Sequence, residues 1–166
     1  SSGGGDILRA DAMALQPADP GWLLPLPDGR SLHASDVVLA LGADTGALAE
    51  KFGYRLPLRP KRGYHLHFRI DAEHPALPFP VCDSASGFVM ATMEDGIRLT
   101  TGVHLALPDA PPNYAQAEQD NRIARAFWPL GEPVEAVPWM GRRPCTPDMR
   151  PLIGPAPHHR GLWFNV

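Results

Sequence analysis

Residues 62–70 alternate. Tyr64, Leu66, Phe68 and Ile70 are apolar, while His65, His67 and Arg69 between them are polar. Successive side chains of a strand point to opposite faces, so this pattern predicts a strand with one apolar side and one polar, solvent-facing side. Residues 87–92 and 97–105 predict two further strands. The segment Met93-Glu94-Asp95-Gly96 joins them, with Asp-Gly as a hairpin signal. Together these strands predict an antiparallel sheet.

A different pattern precedes them. Residues 37–41 (VVLAL) form a continuous apolar run that ends at Gly42, as expected of a strand covered on both faces in a parallel sheet. Asp44 or Thr45 then stands where a cap would start a short helix through Phe52, with Gly53 to end it. Residues 7–26 predict one or two short strands broken by turns. Residues 114–128 predict the main helix, with Ala117, Ile123, Ala124, Phe127 and Trp128 as its apolar stripe and Pro129 as its stop. Residues 134–140 predict a returning strand. The order of elements predicts an α+β fold: an antiparallel sheet with one main helix, flanked by pieces of an α/β layer.

Composition narrows the function. The 166 residues suffice for one domain with a core, and 44% hydrophobic with 20% charged residues is ordinary for a globular chain. A net charge of -3 argues against nucleic acid as a partner, because little here would neutralise a row of phosphates. The 20 prolines and 16 glycines predict many turns and short strands. Cys82 and Cys145 form neither a CxxC pair nor a disulfide framework, so a reducing, cytoplasmic setting is expected. No apolar run reaches membrane-spanning length, which leaves surface association open. Residues 1–5 (SSGGG) read as a flexible linker or a cloning remnant, and GLWFNV stops inside an apolar run. A fragment of a longer polypeptide is expected.

Candidate chemistry gathers in residues 139–154 (WMGRRPCTPDMRPLIG). Pro144 biases Arg143 toward an extended conformation. Neighbours in an extended segment face opposite ways, so Arg142 and Arg143 are expected not to point into one site. A planar guanidinium can hold a carboxylate through two parallel hydrogen bonds; the plain structural alternative is an ion pair with one of the 18 acidic residues. Two imidazoles spaced like His65 and His67, with His104 nearby, can meet a zinc ion. No third ligand of matching spacing is visible, and a solvated strand face explains them better, so no metal is expected. His158 and His159 are expected to face water in a Pro-rich loop. Cys145 has no evident base partner for a nucleophilic role.

The stretch WMGRRPCTPDMRPLIG followed by GLWFN resembles the closing segment of the D-amino-acid oxidase superfamily of FAD enzymes, most like its D-amino-acid dehydrogenase branch. VVLALGADTGALA is similar to that family's strand and turn over the flavin, and LPLRPKRGYHLHF to its crossing into the substrate domain. The resemblance runs from about residue 7 onward. It implies part of a FAD-binding domain over residues 6–56, a substrate-binding domain over 57–140 and a return over 141–166. It implies that Arg143 binds the substrate carboxylate, although Arg142 stands where the family has an apolar residue. It further implies that Ala40, Leu41, Gly42, Gly141 and Arg143 lie against the cofactor. Phe88 matches a region where relatives place a tyrosine over the substrate, and Met90 shares its face; ordinary sheet core is the alternative for both.

The activity so implied is oxidation of an amino acid, a D-amino acid first, to the imino acid, with FAD as the cofactor. No strand followed by GxGxxG occurs in this sequence, so the pyrophosphate site is expected upstream, and FAD is expected to bind the full-length protein rather than this piece. The partners implied are a small amino-acid substrate and, for the full-length enzyme, an acceptor such as a quinone at the inner-membrane surface. Two rivals remain open: a flavin oxidase or dehydrogenase of glycine, sarcosine or a 2-hydroxy acid, and a binding module without turnover.

Overall fold

The structure, a computed structural model, describes residues 4–107 and 109–166. The first three residues of the expected linker therefore lie outside the described residues. In chain order the elements are β1 (Gln16–Pro17), β2 (Trp22–Pro25), β3 (Ser31–Ala34), β4 (Val37–Leu39), α1 (Thr45–Lys51), β5 (Arg59–Phe68), β6 (Val81–Cys82), β7 (Val89–Met93), β8 (Gly96–Thr100), α2 (Ala115–Phe127), β9 (Trp139–Cys145), β10 (Ile153–Pro155) and β11 (Leu162–Asn165). The fold is α+β. It divides into two compact units, one of residues 1–59 with 144–166 and one of residues 60–143.

The first unit holds two three-stranded sheets, ordered β1-β2-β3 and β10-β11-β4. The run VVLAL ends earlier as a strand than its apolar length suggests, at Leu39, and pairs in parallel with β11 (Leu162 with Val37, Phe164 with Leu39). Parallel pairing agrees with the sequence pattern, but burial on both faces does not. Only the side carrying Leu39, Leu162 and Phe164 enters the core, while Val38 is 57% exposed. The reason is position: β4 is an edge strand among the described residues, and one of its faces has no covering layer here.

Helix α1 starts otherwise than expected. Asp44 makes no side-chain cap bond, and the Oγ1 of Thr45 instead accepts the backbone N–H of Leu41 at 3.0 Å. This ties the end of β4 to the first turn of the helix. Gly53 follows the helix with φ of 83°, as a C-terminal glycine does.

The second unit is built on a five-stranded sheet ordered β6-β7-β8-β5-β9. The β5–β8, β6–β7 and β7–β8 pairs are antiparallel, as the alternation predicts. The hairpin register pairs Met93 with Gly96, so Glu94-Asp95 is the two-residue turn and Gly96 opens the next strand. The predicted Asp-Gly turn is thus displaced by one residue. Leu66, Phe68, Met90, Ile97 and Leu99 from the sheet pack with Phe88, Leu77, Ala124 and Leu130 as one core.

Helix α2 contributes Ala117, Asp120 and Ala124 to the buried side. Phe127, expected in the apolar stripe, is 63% exposed: it lies three residues past Ala124 in the last helical turn, and the chain turns away at once. The expected strand 134–140 begins only at Trp139, because Pro133 and Pro138 bracket a bend (residues 134–137); ahead of Trp139 the chain touches β5 through an isolated bridge, Phe68 with Pro133, and the Val134 N–H donates to the His67 carbonyl at 2.8 Å. Among the described residues no helix is long and apolar enough to cross a membrane.

Candidate functional site

Alternation in the five-stranded sheet sends one set of side chains into the core and leaves the other set on the opposite face. On that face stand His65 and His67 of β5, Arg98 and Thr100 of β8, and Trp139, Gly141 and Arg143 of β9. In register, His65 pairs with Thr100 and His67 with Arg98. A pocket of about 320 Å³ opens on this face, lined by Gly63, Tyr64, His65, Arg98, Thr100, Trp139, Gly141, Arg142 and Arg143.

Arg143 has a seat made for it. Its guanidinium lies over Gly63 of the adjacent strand, where a Cβ would overlap the guanidinium carbon and both terminal nitrogens. It donates from Nη1 to the Gly102 carbonyl at 3.3 Å and from Nη2 to the Thr101 carbonyl at 3.5 Å, two long and weak bonds. A guanidinium has five N–H donors, so most of its capacity faces the pocket. Arg142 also borders the pocket, which the alternation argument did not anticipate; β9 is the edge strand of the sheet, so a residue of the other phase still reaches the rim.

Trp139 folds its indole over Gly141, whose missing side chain leaves that space. The same indole stacks on His65, with ring centroids 4.7 Å apart and planes 27° apart. Burial first, then the nearby positive charge of Arg98, lowers the pKa of His65 below the usual histidine value.

The expectation that His65 and His67 share a solvated face fails for His67, which is 4% exposed. Its ring is held from both ends. Arg98 Nε donates to His67 Nε2 at 2.9 Å, so Nε2 is the unprotonated nitrogen and Nδ1 carries the proton. That Nδ1–H donates to Glu135 Oε1 at 2.5 Å, and the His67 backbone N–H donates to Glu135 Oε2 at 2.8 Å. Burial pushes the Glu135 carboxyl up, but the two donors from His67 outweigh it and hold the pKa below the usual carboxylate range. His104 is not beside this pair: its Nδ1 meets the hydroxyl of Tyr64 at 2.8 Å. No group of three or more His, Cys, Asp or Glu side chains is placed to hold a metal among the described residues.

The other predicted residues fall elsewhere. Phe88 and Met90 are fully buried and belong to the core rather than to the pocket lining. Ala40, Leu41 and Gly42 lie in the first unit, just beyond the carboxyl end of the parallel strand β4, with Ala40 and Leu41 exposed. Gly42 has φ of 58° and open space where a Cβ would be. An exposed, glycine-containing turn at the carboxyl end of a parallel strand fits the close approach of a nucleotide cofactor. His159 does not simply face water. Its Nδ1 meets the Tyr54 hydroxyl at 2.7 Å, and its ring packs edge-on to Phe52 and Tyr54. Cys145 lines a separate pocket with Thr146, Met149 and Arg150, whose lining holds no histidine or acidic side chain.

Sequence reasoning passed over Gly63 and Arg98. Arg98 was legible in the alternation Ile97, Arg98, Leu99, which sets it on the polar face. Gly63 carried no signal of its own, since its role depends on a side chain 80 positions away.

Comparison with known proteins bears on the whole chain. The family described as FAD dependent oxidoreductase matches residues 2–166. A D-amino acid dehydrogenase of Paramagnetospirillum magneticum is 34% identical over 144 residues, covering 86% of this chain and 34% of that protein. D-amino acid dehydrogenase 2 of Pseudomonas aeruginosa is 33% identical over 139 residues, covering 83% and 33%. Glycine oxidase from Geobacillus kaustophilus has a similar fold, with a TM-score of 0.71 at 22% identity over 94% of this chain and 42% of that one. The chain spans about a third of the length of the curated relatives it matches.

Proposed function

The chain belongs to the FAD dependent oxidoreductase family, and from that premise we propose that it forms the substrate-facing part of an enzyme that oxidises an amino acid, a D-amino acid first, to the imino acid. The observation that carries this reading is the seat of Arg143. A guanidinium laid over a glycine, anchored by two long bonds to carbonyls, presents its remaining donors to a pocket. That arrangement suits a carboxylate ligand. The preference for a D-amino acid is supported by relatives of that name at 33–34% identity.

In this reading Arg143 fixes the α-carboxylate and so sets the orientation of the Cα–H bond. Trp139, stacked on His65, forms an apolar wall beside it. Ala40, Leu41 and Gly42 supply backbone to the cofactor, with Gly141 and Arg143 as further candidates. Flavin, when bound, supplies the two-electron acceptor for the hydride of Cα. No side-chain base is needed if the amine arrives neutral. Reoxidation by a quinone at a membrane surface belongs to the same proposal.

The test is Arg143→Leu in the full-length, flavin-loaded protein. The KM for amino-acid substrates should rise about 10- to 150-fold, the worth of a charge-assisted pair of about 1.5–3 kcal/mol. Unchanged kinetics would remove Arg143 from the site.

A further inference from the structure

The pocket contains a second guanidinium that the α-carboxylate does not need. Arg98 reaches it from β8, and its orientation is set from behind. Glu135 accepts from His67 Nδ1, and His67 Nε2 accepts from Arg98 Nε. This uses one edge of the Arg98 side chain. Its two terminal nitrogens have no protein partner among the described residues, although Arg98 is half-buried. An arginine that served only to brace His67 would have no reason to present a fork to a cavity. Glu135, which balances its charge, does not line the pocket, so the lining carries Arg98, Arg142 and Arg143 and no carboxylate.

We propose that the pocket takes an amino acid with a second carboxylate, the α-carboxylate on Arg143 and the side-chain carboxylate on the free fork of Arg98. This rests on reading the pocket as the substrate site. The spacing agrees. Arg143 lies over Gly63, and Arg98 is bonded to His67, four residues along the same strand. Four residues of strand span about 13 Å. A hydrogen bond of about 3 Å at each end leaves about 7 Å for the ligand, the reach of a chain of about four or five carbons. The charge is felt inside the pocket as well, since Arg98 is among the causes that lower the pKa of His65.

The experiment compares acidic and neutral substrates of similar length on the full-length, flavin-loaded enzyme: D-glutamate and D-aspartate against D-glutamine and D-norvaline. The wild type should show kcat/KM at least about tenfold higher for the acidic pair. Arg98→Gln should lower kcat/KM for D-glutamate about 20- to 100-fold and leave D-norvaline within about threefold. Arg98→Lys should retain part of the preference. Binding without turnover gives a separate readout: glutarate should perturb the flavin absorbance at lower concentration than butyrate, and Arg98→Gln should abolish that difference. Preference of the wild type for neutral substrates overturns the proposal, whatever the variants do. Equal losses on both substrate types in Arg98→Gln also overturn it, because Arg98 then only braces the sheet. If no amino acid is oxidised but glutarate still binds through Arg98, the function proposed above fails and the dicarboxylate site stands.

Discussion

On one face of the five-stranded sheet, Leu66, Phe68, Met90, Ile97 and Leu99 are closed off beneath α2 and its neighbours. On the other, His65, Arg98, Trp139 and Arg143 border an open pocket. Strands β5 and β8 supply residues to both sets, one residue out of phase. The apolar face needs only volume and hydrophobicity, so many side chains would serve it. The polar face depends on specific bonds: a ring nitrogen that accepts from Arg98, a missing Cβ beneath Arg143, an indole folded over a glycine. Substitutions on the first face should therefore act on stability, and those on the second on ligand binding at nearly constant stability.

The largest expected effect lies on the closed face. Phe88→Ala should cost about 3–5 kcal/mol, as for other buried aromatic truncations, measured by denaturant unfolding of the full-length protein. A variant of wild-type stability with altered substrate kinetics alone would instead place Phe88 at the substrate.

Gly63→Ala should show the opposite signature. The atoms nearest the added methyl are all at the end of the flexible Arg143 side chain, so stability should change little, while KM for carboxylate substrates rises about 10- to 100-fold, or about 1.4–2.8 kcal/mol. Loss of stability without a change in KM would mean that the guanidinium is not a ligand-binding group.

Asp120 breaks the rule of the closed face and so sharpens it. It is 2% exposed on α2, and its Oδ2 has no partner. Burial, then the nearby Asp83, raises its pKa. The folded state thus holds this proton more tightly than the unfolded chain. Its contribution is greatest at pH below the unfolded value of about 4 and is lost as pH rises from there through the folded value. Asp120→Asn should stabilise the protein at neutral pH by about 1 kcal/mol and flatten that fall, as thermal melts from pH 4 to 8 would reveal.

The smallest effect is spectroscopic. His65 should titrate below the usual histidine value, followed by the NMR signals of its ring carbon protons, and Arg98→Gln should raise its pKa by removing a like charge. An unmoved titration would deny that Arg98 faces His65.

Much of this arrangement was legible from residue order. Alternation in residues 62–70 and 97–100 gave the strands and their apolar face, and VVLAL gave a parallel strand. Two kinds of information were not local. Burial of His67 depends on Glu135, 68 positions away, which turns a polar strand side into a bonded interior. The bare outer side of β4 depends on which strands lie next to it, and an apolar run does not encode that. Within the candidate site, Pro144 and the motif around it singled out Arg143, but nothing near Arg143 in sequence could reveal Gly63. Arg98 was visible as a polar-face residue, yet its significance appears only when His67 is seen to hold its Nε and leave the fork open.

The stack of Trp139 on His65 also gives the pocket a light of its own. An imidazolium beside an indole quenches its emission, whereas a neutral imidazole does so far less. With the rings 4.7 Å apart, tryptophan fluorescence should brighten as His65 loses its proton. An anionic ligand that draws a proton back onto the ring should dim it. Occupancy of this face can then be followed in the ultraviolet, in a signal that owes nothing to the colour of a flavin.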